Sequence, residues 1–290
     1  MDLPLVVGVD GSEPSLRAVD WAADEAVLRG AELRVVYASL WERYEGTALA
    51  TDLGKPSEAV LSEDVVDSAA RRVHARRPEV KVTPVVLAEE PEHALVDEGR
   101  RALAVVVGSR GRSGIAEFLL GSVSLSVAAH ADCPVIVLRG GRDKQAVPGA
   151  HGRVVLGVGA EGAESPAVRF AVDEVRRRGA RLEAVRAWRC PVHETTGYPA
   201  MAGEPARQYE EGAVSALEWA LRDVPADVDV HCSTVEGHAR RVLTNLSRDA
   251  DLLVVGAKRR GGRFGVQLGR VTHAVLHHSA CPVAVVPQWA

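Results

Sequence analysis

The residues best suited to chemistry are a run of glycines and hydroxyls, Gly108-Ser109-Arg110-Gly111-Arg112-Ser113-Gly114, followed by Gly121-Ser122. The spacing is Gly108-x2-Gly111-x9-Gly121-Ser122. Three physical properties suit this pattern to phosphate. Gly108, Gly111 and Gly114 allow positive φ and close approach of the backbone to a ligand; successive amides can form an anion-binding nest; and Gly121-Ser122, opening a helix, presents free N–H groups and a positive helix pole. A triphosphate suits such a site, although a plain surface loop of the same composition remains the bland alternative. Asp10, in Gly8-Val9-Asp10-Gly11-Ser12, is the second candidate. Its carboxylate can accept hydrogen bonds from ribose hydroxyls or an adenine amino group, or it can simply cap the helix that follows.

These residues need strands and helices to position them, and the sequence provides both twice. At an offset of 149, Gly8-Val9 matches Gly157-Val158, Asp24-Glu25 matches Asp173-Glu174, and Arg29-Gly30-Ala31 matches Arg178-Gly179-Ala180. After a one-residue slip, Val106-Val107-Gly108 matches Val254-Val255-Gly256 and Cys133-Pro134-Val135 matches Cys281-Pro282-Val283. Self-similarity over that length defines two copies of one domain. Each copy alternates short apolar, β-branched runs with helical patterns. In the first copy these predict strands over Leu3–Val9, Leu33–Ala38, Val80–Leu87, Ala102–Val107 and Val135–Leu138. The fold class is therefore α/β: two tandem doubly wound domains, each with a five-stranded, mainly parallel sheet covered by helices. The expected boundaries are 1–140 and 152–290, joined by a glycine- and charge-rich linker over 141–151. Ligands of such sheets bind beyond the carboxyl ends of the strands where the winding reverses, which directs attention to the loops after the first and fourth strands.

Composition excludes several function classes. The 290 residues are 47% hydrophobic and 26% charged with a net charge of −4, so the chain folds as a globular protein and has no global basic excess for nucleic acid or anionic membrane. No stretch has the length and apolarity of a membrane span, and the N-terminus lacks a basic region followed by an apolar one; a soluble cytoplasmic protein is expected. Cys133, Cys190, Cys232 and Cys281 show no CxxC spacing, which argues against zinc and redox sites. No GxxxxGK[ST] occurs, and the first turn is not GxGxxG, so P-loop and dinucleotide-binding readings fall.

Taken with the opening Val7-Gly8-Val9-Asp10-Gly11-Ser12-x2-Ser15 and the closing His130-Ala131-Asp132-Cys133-Pro134-Val135, the glycine pattern closely resembles the universal stress protein family in its tandem, ATP-binding form. The resemblance covers essentially the whole chain. It implies ATP, alone or with Mg2+, with the glycine segment on phosphates and ribose, Asp10 on the nucleoside, and Ala38 or its neighbour Tyr37 against adenine. The candidate site is thus Asp10, Ala38, Gly108, Gly111, Gly114, Gly121 and Ser122, and family resemblance also suggests homodimers. The two copies would pack about a pseudo-two-fold axis through their last strands.

The second copy departs from this pattern. Gly159 stands for Asp10, Arg259 for Gly111, Arg270 for Ser122 and Glu161 for Ser12, so weak or no ATP binding is expected there. Lys258, Arg259, Arg260, Arg263 and Arg270 form a basic group that either grips another anion or a nucleic-acid backbone, or is a solvated loop paired with acidic residues of the other copy, the last reading being favoured. Arg110 and Arg112 pose the same choice in the first copy. His277-His278 near Cys281 point in different directions on a helix and do not make a metal site, and Trp21 and Phe170 read as packing residues. The long connections Trp41–Pro56 and Trp188–Pro205 either cover the site or meet partners. No paired histidine or carboxylate stands beside the glycine loop, so nucleotide-dependent binding in stress response or regulation is favoured over catalysis. The rivals are a slow Mg-dependent ATPase or phosphotransferase and a nucleotide-free interaction scaffold.

Overall fold

The architecture follows from a computed structural model, which describes residues 3–40, 58–109, 120–138, 151–159, 165–190, 204–259 and 268–289. The chain divides into two compact units.

In the first unit the elements run β1 (Leu5–Gly8), α1 (Glu13–Arg29), β2 (Leu33–Ala38), α2 (Glu58–Arg76), β3 (Val82–Leu87), α3 (Pro91–Gly99), β4 (Ala104–Gly108), α4 (Ser122–His130) and β5 (Val135–Leu138). The strands lie in the order β3-β2-β1-β4-β5, and every neighbouring pair is parallel. β1, β4 and β5 are buried along their whole length because helices cover both faces, which is why they read as unbroken apolar runs. Winding proceeds outward from β1 to β3, then returns to β4 on the other side of β1. The reversal falls between β1 and β4.

Local chemistry sets the helix limits. Ser12 caps α1 through its hydroxyl, which accepts from the Ser15 amide at 3.4 Å, and Pro14 occupies the first turn, where its missing N–H costs nothing. At the other end Gly30 takes the left-handed conformation (φ 61°), while the Ala31 amide reaches back to the Ala26 carbonyl at 3.0 Å. Helix α2 is fastened to α1 by ion pairs: Arg72 grips Asp20 through two bonds of 2.6 Å, and Arg76 and Arg77 converge on the buried Asp24 at 2.6 and 2.7 Å.

The second unit repeats the plan with β6 (Arg153–Gly157), α5 (Pro166–Arg178), β7 (Arg181–Trp188), α6 (Glu204–Leu221), β8 (Val230–Glu236), α7 (Ala239–Leu246), a 3-10 turn (Ser247–Asp249), β9 (Leu252–Arg259), α8 (Arg270–His278) and β10 (Val283–Trp289). Its order is β8-β7-β6-β9-β10, again all parallel. The sequence repeat is also a packing repeat: a Cβ at Gly8 would meet a Leu95 methyl at 2.8 Å, and one at Gly157 would meet a Leu243 methyl at the same distance. One difference matters for function. Helix α1 begins at Glu13, but α5 begins at Pro166, the counterpart of Arg17, one turn later. Trp21 and Phe170 are both buried. Among the described residues no helix is long and apolar enough to cross a membrane.

Candidate functional site

A cleft of about 650 Å³ opens at the carboxyl ends of β1 and β2 in the first unit. Its walls include Asp10, Tyr37, Ala38, Glu90, Glu92 and Ser126. The first three are the residues sequence reasoning assigned to the nucleoside, and the sheet brings them together because β1 and β2 are adjacent and in register.

Asp10 already has a task in the fold. Its Oδ1 accepts the Ser12 amide at 2.9 Å, closing an Asx turn at Gly11 (φ 79°), while its own amide donates to the Ser15 hydroxyl at 3.3 Å. The helix cap is Ser12, not Asp10. The carboxylate is therefore held at the end of β1 by the turn and faces the cleft.

The phosphate candidates require two corrections. Gly108 does not adopt positive φ; it is the last residue of β4, and a Cβ there would lie 2.8 Å from the carbonyl of Pro14 and 3.1 Å from the Ser15 amide. It is a glycine because the first turn of α1 passes directly over it. Gly121 is likewise not a free donor: its amide bonds the Ser109 carbonyl at 2.7 Å, and its φ is −66°. That bond, with the Ser124 hydroxyl donating to the Gly108 carbonyl at 2.5 Å, fastens the start of α4 to the end of β4. Helix α4 opens with no side-chain cap from Gly121, and among the described residues no bond is made by the amides of its first turn, Ser122, Val123 and Ser124. Gly111 and Gly114, with Arg110 and Arg112, lie outside the described residues.

Sequence reasoning missed Glu90, Glu92 and His93. They follow β3, whose end pairs with Ala38 through Leu87, so the edge of the sheet delivers two carboxylates to the cleft. The Glu92 carboxylate accepts from the Ser122 hydroxyl at 3.5 Å, a long bond to the very residue assigned to phosphate. The usable signal was Glu89-Glu90-Pro91-Glu92 at the start of a helix, where acids favour the positive pole.

The second unit has the same frame with different contents. Gly159 offers no carboxylate, and Arg270 is the first residue of α8. The space beside Gly256 is taken by the buried Gln288, whose amide lies 2.5 Å from where a Gly256 Cβ would be and donates to Ser165 at 2.5 Å. Lys258 ends β9 in company with Arg259, whereas Arg260, Arg263 and Glu161 lie outside the described residues. Among the described residues no three His, Cys, Asp or Glu side chains gather as metal ligands.

Fold and cleft together define a tandem, doubly wound α/β protein with a cleft at the carboxyl ends of the strands of its first sheet. The chain belongs to the universal stress protein family, which it matches over residues 3–139 and again over 151–287. It is 32% identical over 302 residues to the universal stress protein Rv2005c of Mycobacterium tuberculosis, covering 98% of this chain and 97% of that one. A second protein of that organism, Rv1996, is 32% identical over 310 residues, covering 99% and 96%. In fold it is similar to the crystal structure of a universal stress protein from Archaeoglobus fulgidus, with a TM-score of 0.70 at 18% identity and 98% of each chain covered.

Proposed function

We propose that the first unit binds ATP and that the protein acts in stress response or regulation through nucleotide-dependent binding. The observation that carries this reading is the convergence of Asp10 and Ala38 on one cleft at the carboxyl ends of β1 and β2, in a unit whose α4 begins without a side-chain cap from its N-cap residue. In the proposed pose adenine lies by Tyr37 and Ala38, Asp10 accepts from the ribose, and the phosphates run toward Ser122 and the segment containing Gly111 and Gly114. The second unit has Gly159 in place of the carboxylate and Arg270 in place of Ser122, and takes little or no ATP. Residues 1–140 and 152–290 are the corresponding proposed domains.

Glu90 and Glu92 favour Mg-ATP over free ATP, because a triphosphate beside two carboxylates needs a counter-cation. They also give the ATPase reading its strongest support, through a Mg2+ able to polarise the γ-phosphate.

The test is calorimetric titration of ATP, with and without Mg2+, into the full chain and into Asp10→Ala and Asp10→Asn. Losing a charged acceptor for one or two ribose hydroxyls weakens binding by roughly 1.5–3 kcal/mol, about ten- to a hundredfold. Asparagine retains an oxygen for the Ser12 amide, so Asp10→Asn separates the turn from the ligand contact: the fold is unchanged and ATP binding still falls. ATP affinity within twofold of wild type in both variants refutes the pose. Phosphate release that requires Mg2+ selects the enzyme reading.

A further inference from the structure

The second unit carries a cation cluster that the nucleotide reading does not use. Arg189 follows β7, His238 precedes α7, and Arg240 and Arg241 lie in that helix's first turn. Arg189 Nη1 is 3.0 Å from His238 Nε2. Arg189 first, and then burial, Arg240 and Arg241, hold that imidazole below its ordinary pKa, so the four side chains share one field. Among the described residues none of the three arginines has a carboxylate within ion-pair distance.

The arrangement opposes what a helix start prefers. Arg240 and Arg241 add positive charge to the positive pole of α7, and the histidine before it caps nothing with its side chain. The corresponding places in the first unit hold Glu90, Glu92 and His93, the ordinary polarity. An exposed arginine group placed against the local dipole and, among the described residues, held by no ion pair to a carboxylate is an electrostatic conflict of the kind a bound anion relieves.

A cleft of about 390 Å³ adjoins the cluster, within the range of small-molecule sites. His238 and Arg241 line it together with Val235, Val242 and Leu246, while Glu236 and Asn245 supply its other polar groups. Its apolar wall differs in polarity from the first unit at one position. Leu246 stands where the first unit has Glu98, which is closed off by two bonds of 2.8 and 3.0 Å from Arg34.

We propose that this cleft binds a small organic anion, with a phosphate-type head on Arg240, Arg241 and Arg189 and an apolar or aromatic body against Val235, Val242 and Leu246. Guanidinium groups suit this head because their paired donors match phosphate oxygens.

Phenyl phosphate and inorganic phosphate are the probes, titrated calorimetrically into the full chain and its variants. Phenyl phosphate binds saturably, and more tightly than inorganic phosphate. Arg240→Glu with Arg241→Glu weakens it at least a hundredfold, about tenfold or more for each charge-assisted contact removed. Val242→Trp, which fills the cleft, weakens phenyl phosphate and leaves inorganic phosphate unchanged. Asp10→Ala changes neither, which keeps this site distinct from the one proposed for ATP. Should the charge reversal prevent folding, Arg240→Gln with Arg241→Gln carries the same expectation. No saturable phenyl phosphate binding up to roughly 10 mM, or equal binding by the arginine variants, overturns the proposal. So does loss of binding in Asp10→Ala, equal affinity for the two probes, or single-stranded DNA being the sole ligand lost with the arginines.

Discussion

Gly108→Ala separates a packing glycine from a ligand-binding one. The added Cβ would sit 2.8 Å from the carbonyl carbon and oxygen of Pro14, and 3.1 Å from the Ser15 amide. Carbon atoms at optimal separation lie about 3.5–4.0 Å apart, so the backbone of α1's first turn and β4 must separate by something near 0.7–1 Å. Neither side yields cheaply. β4 lies between β1 and β5, while the start of α1 is fixed by Pro14, the Ser12 cap and the Asp10 turn. Overpacking of this kind costs about 1–3 kcal/mol. Urea denaturation followed by circular dichroism should show that loss in the first unit, and ATP affinity should fall with it because the displaced turn carries Asp10. Gly256→Ala is the internal control: the three atoms nearest its Cβ would all be at the end of the Gln288 side chain, and Gln288→Ala in the same chain should recover most of any loss. A Gly108→Ala protein within about 0.5 kcal/mol of wild type, yet unable to bind ATP, would refute the packing argument and return Gly108 to a purely ligand-facing role.

Asp24→Ala removes the acceptor shared by Arg76 and Arg77 and lowers unfolding free energy by about 1–2 kcal/mol, a figure discounted because both guanidiniums are partly exposed. Asp20→Ala, whose partner Arg72 is as open and whose own carboxylate is less buried, costs under about 1 kcal/mol; denaturation curves that reverse this order would refute the assignment. His238 should titrate below 6.5 by NMR, because Arg189 and the neighbouring arginines disfavour its charged form, and Arg189→Ala should move it upward. The folded pKa lies below the unfolded one, so the unfolded chain binds more protons in the window between them. The contribution of His238 to stability is present above 6.5 and is lost as pH falls through the depressed value. A His238 titration at or above 6.5 would remove the cation cluster's effect.

The fold was legible because its signals are redundant. Continuous apolar runs such as Leu5–Gly8 and Ala104–Gly108 require burial on both faces, and their alternation with helical patterns leaves few topologies. Asp10 and Ala38 could be placed in one cleft because both end strands adjacent in that topology. Other features depended on contacts that spacing does not encode. Nothing local distinguishes a glycine that admits a phosphate from Gly108, which admits the Pro14 backbone from about ninety residues earlier. Glu90 and Glu92 were overlooked because an acid at a helix start has an ordinary explanation in the dipole, and only the pairing of β3 with β2 turns them toward Ala38. Gln288 was invisible for the same reason: its partners Gly256 and Ser165 are 32 and 123 residues away in sequence, and only the fold brings them together.

The two units show where a duplicated fold is free to change. Their buried strands and the glycines at Gly8 and Gly157 keep the same contacts, since a side chain there would strike a leucine from the covering helix in either unit. At the carboxyl ends of the strands no such constraint operates, and charge has diverged in opposite directions. The first unit surrounds its cleft with Asp10, Glu90 and Glu92; the second replaces these with Gly159, His238 and Arg240. An acidic cleft favours a cation or a cation-bearing ligand, whereas a cleft beside arginines that, among the described residues, have no ion-paired carboxylate favours an anion, so the two proposed sites select ligands of different charge. Duplication without such divergence would yield two equivalent sites, and loss without replacement would leave neutral, solvated loops. The second unit shows neither: the space beside Gly256 is filled by Gln288, while a separate apolar cleft opens beside the arginines at α7. On the two proposals together, the second unit has exchanged one ligand for another on an unchanged frame.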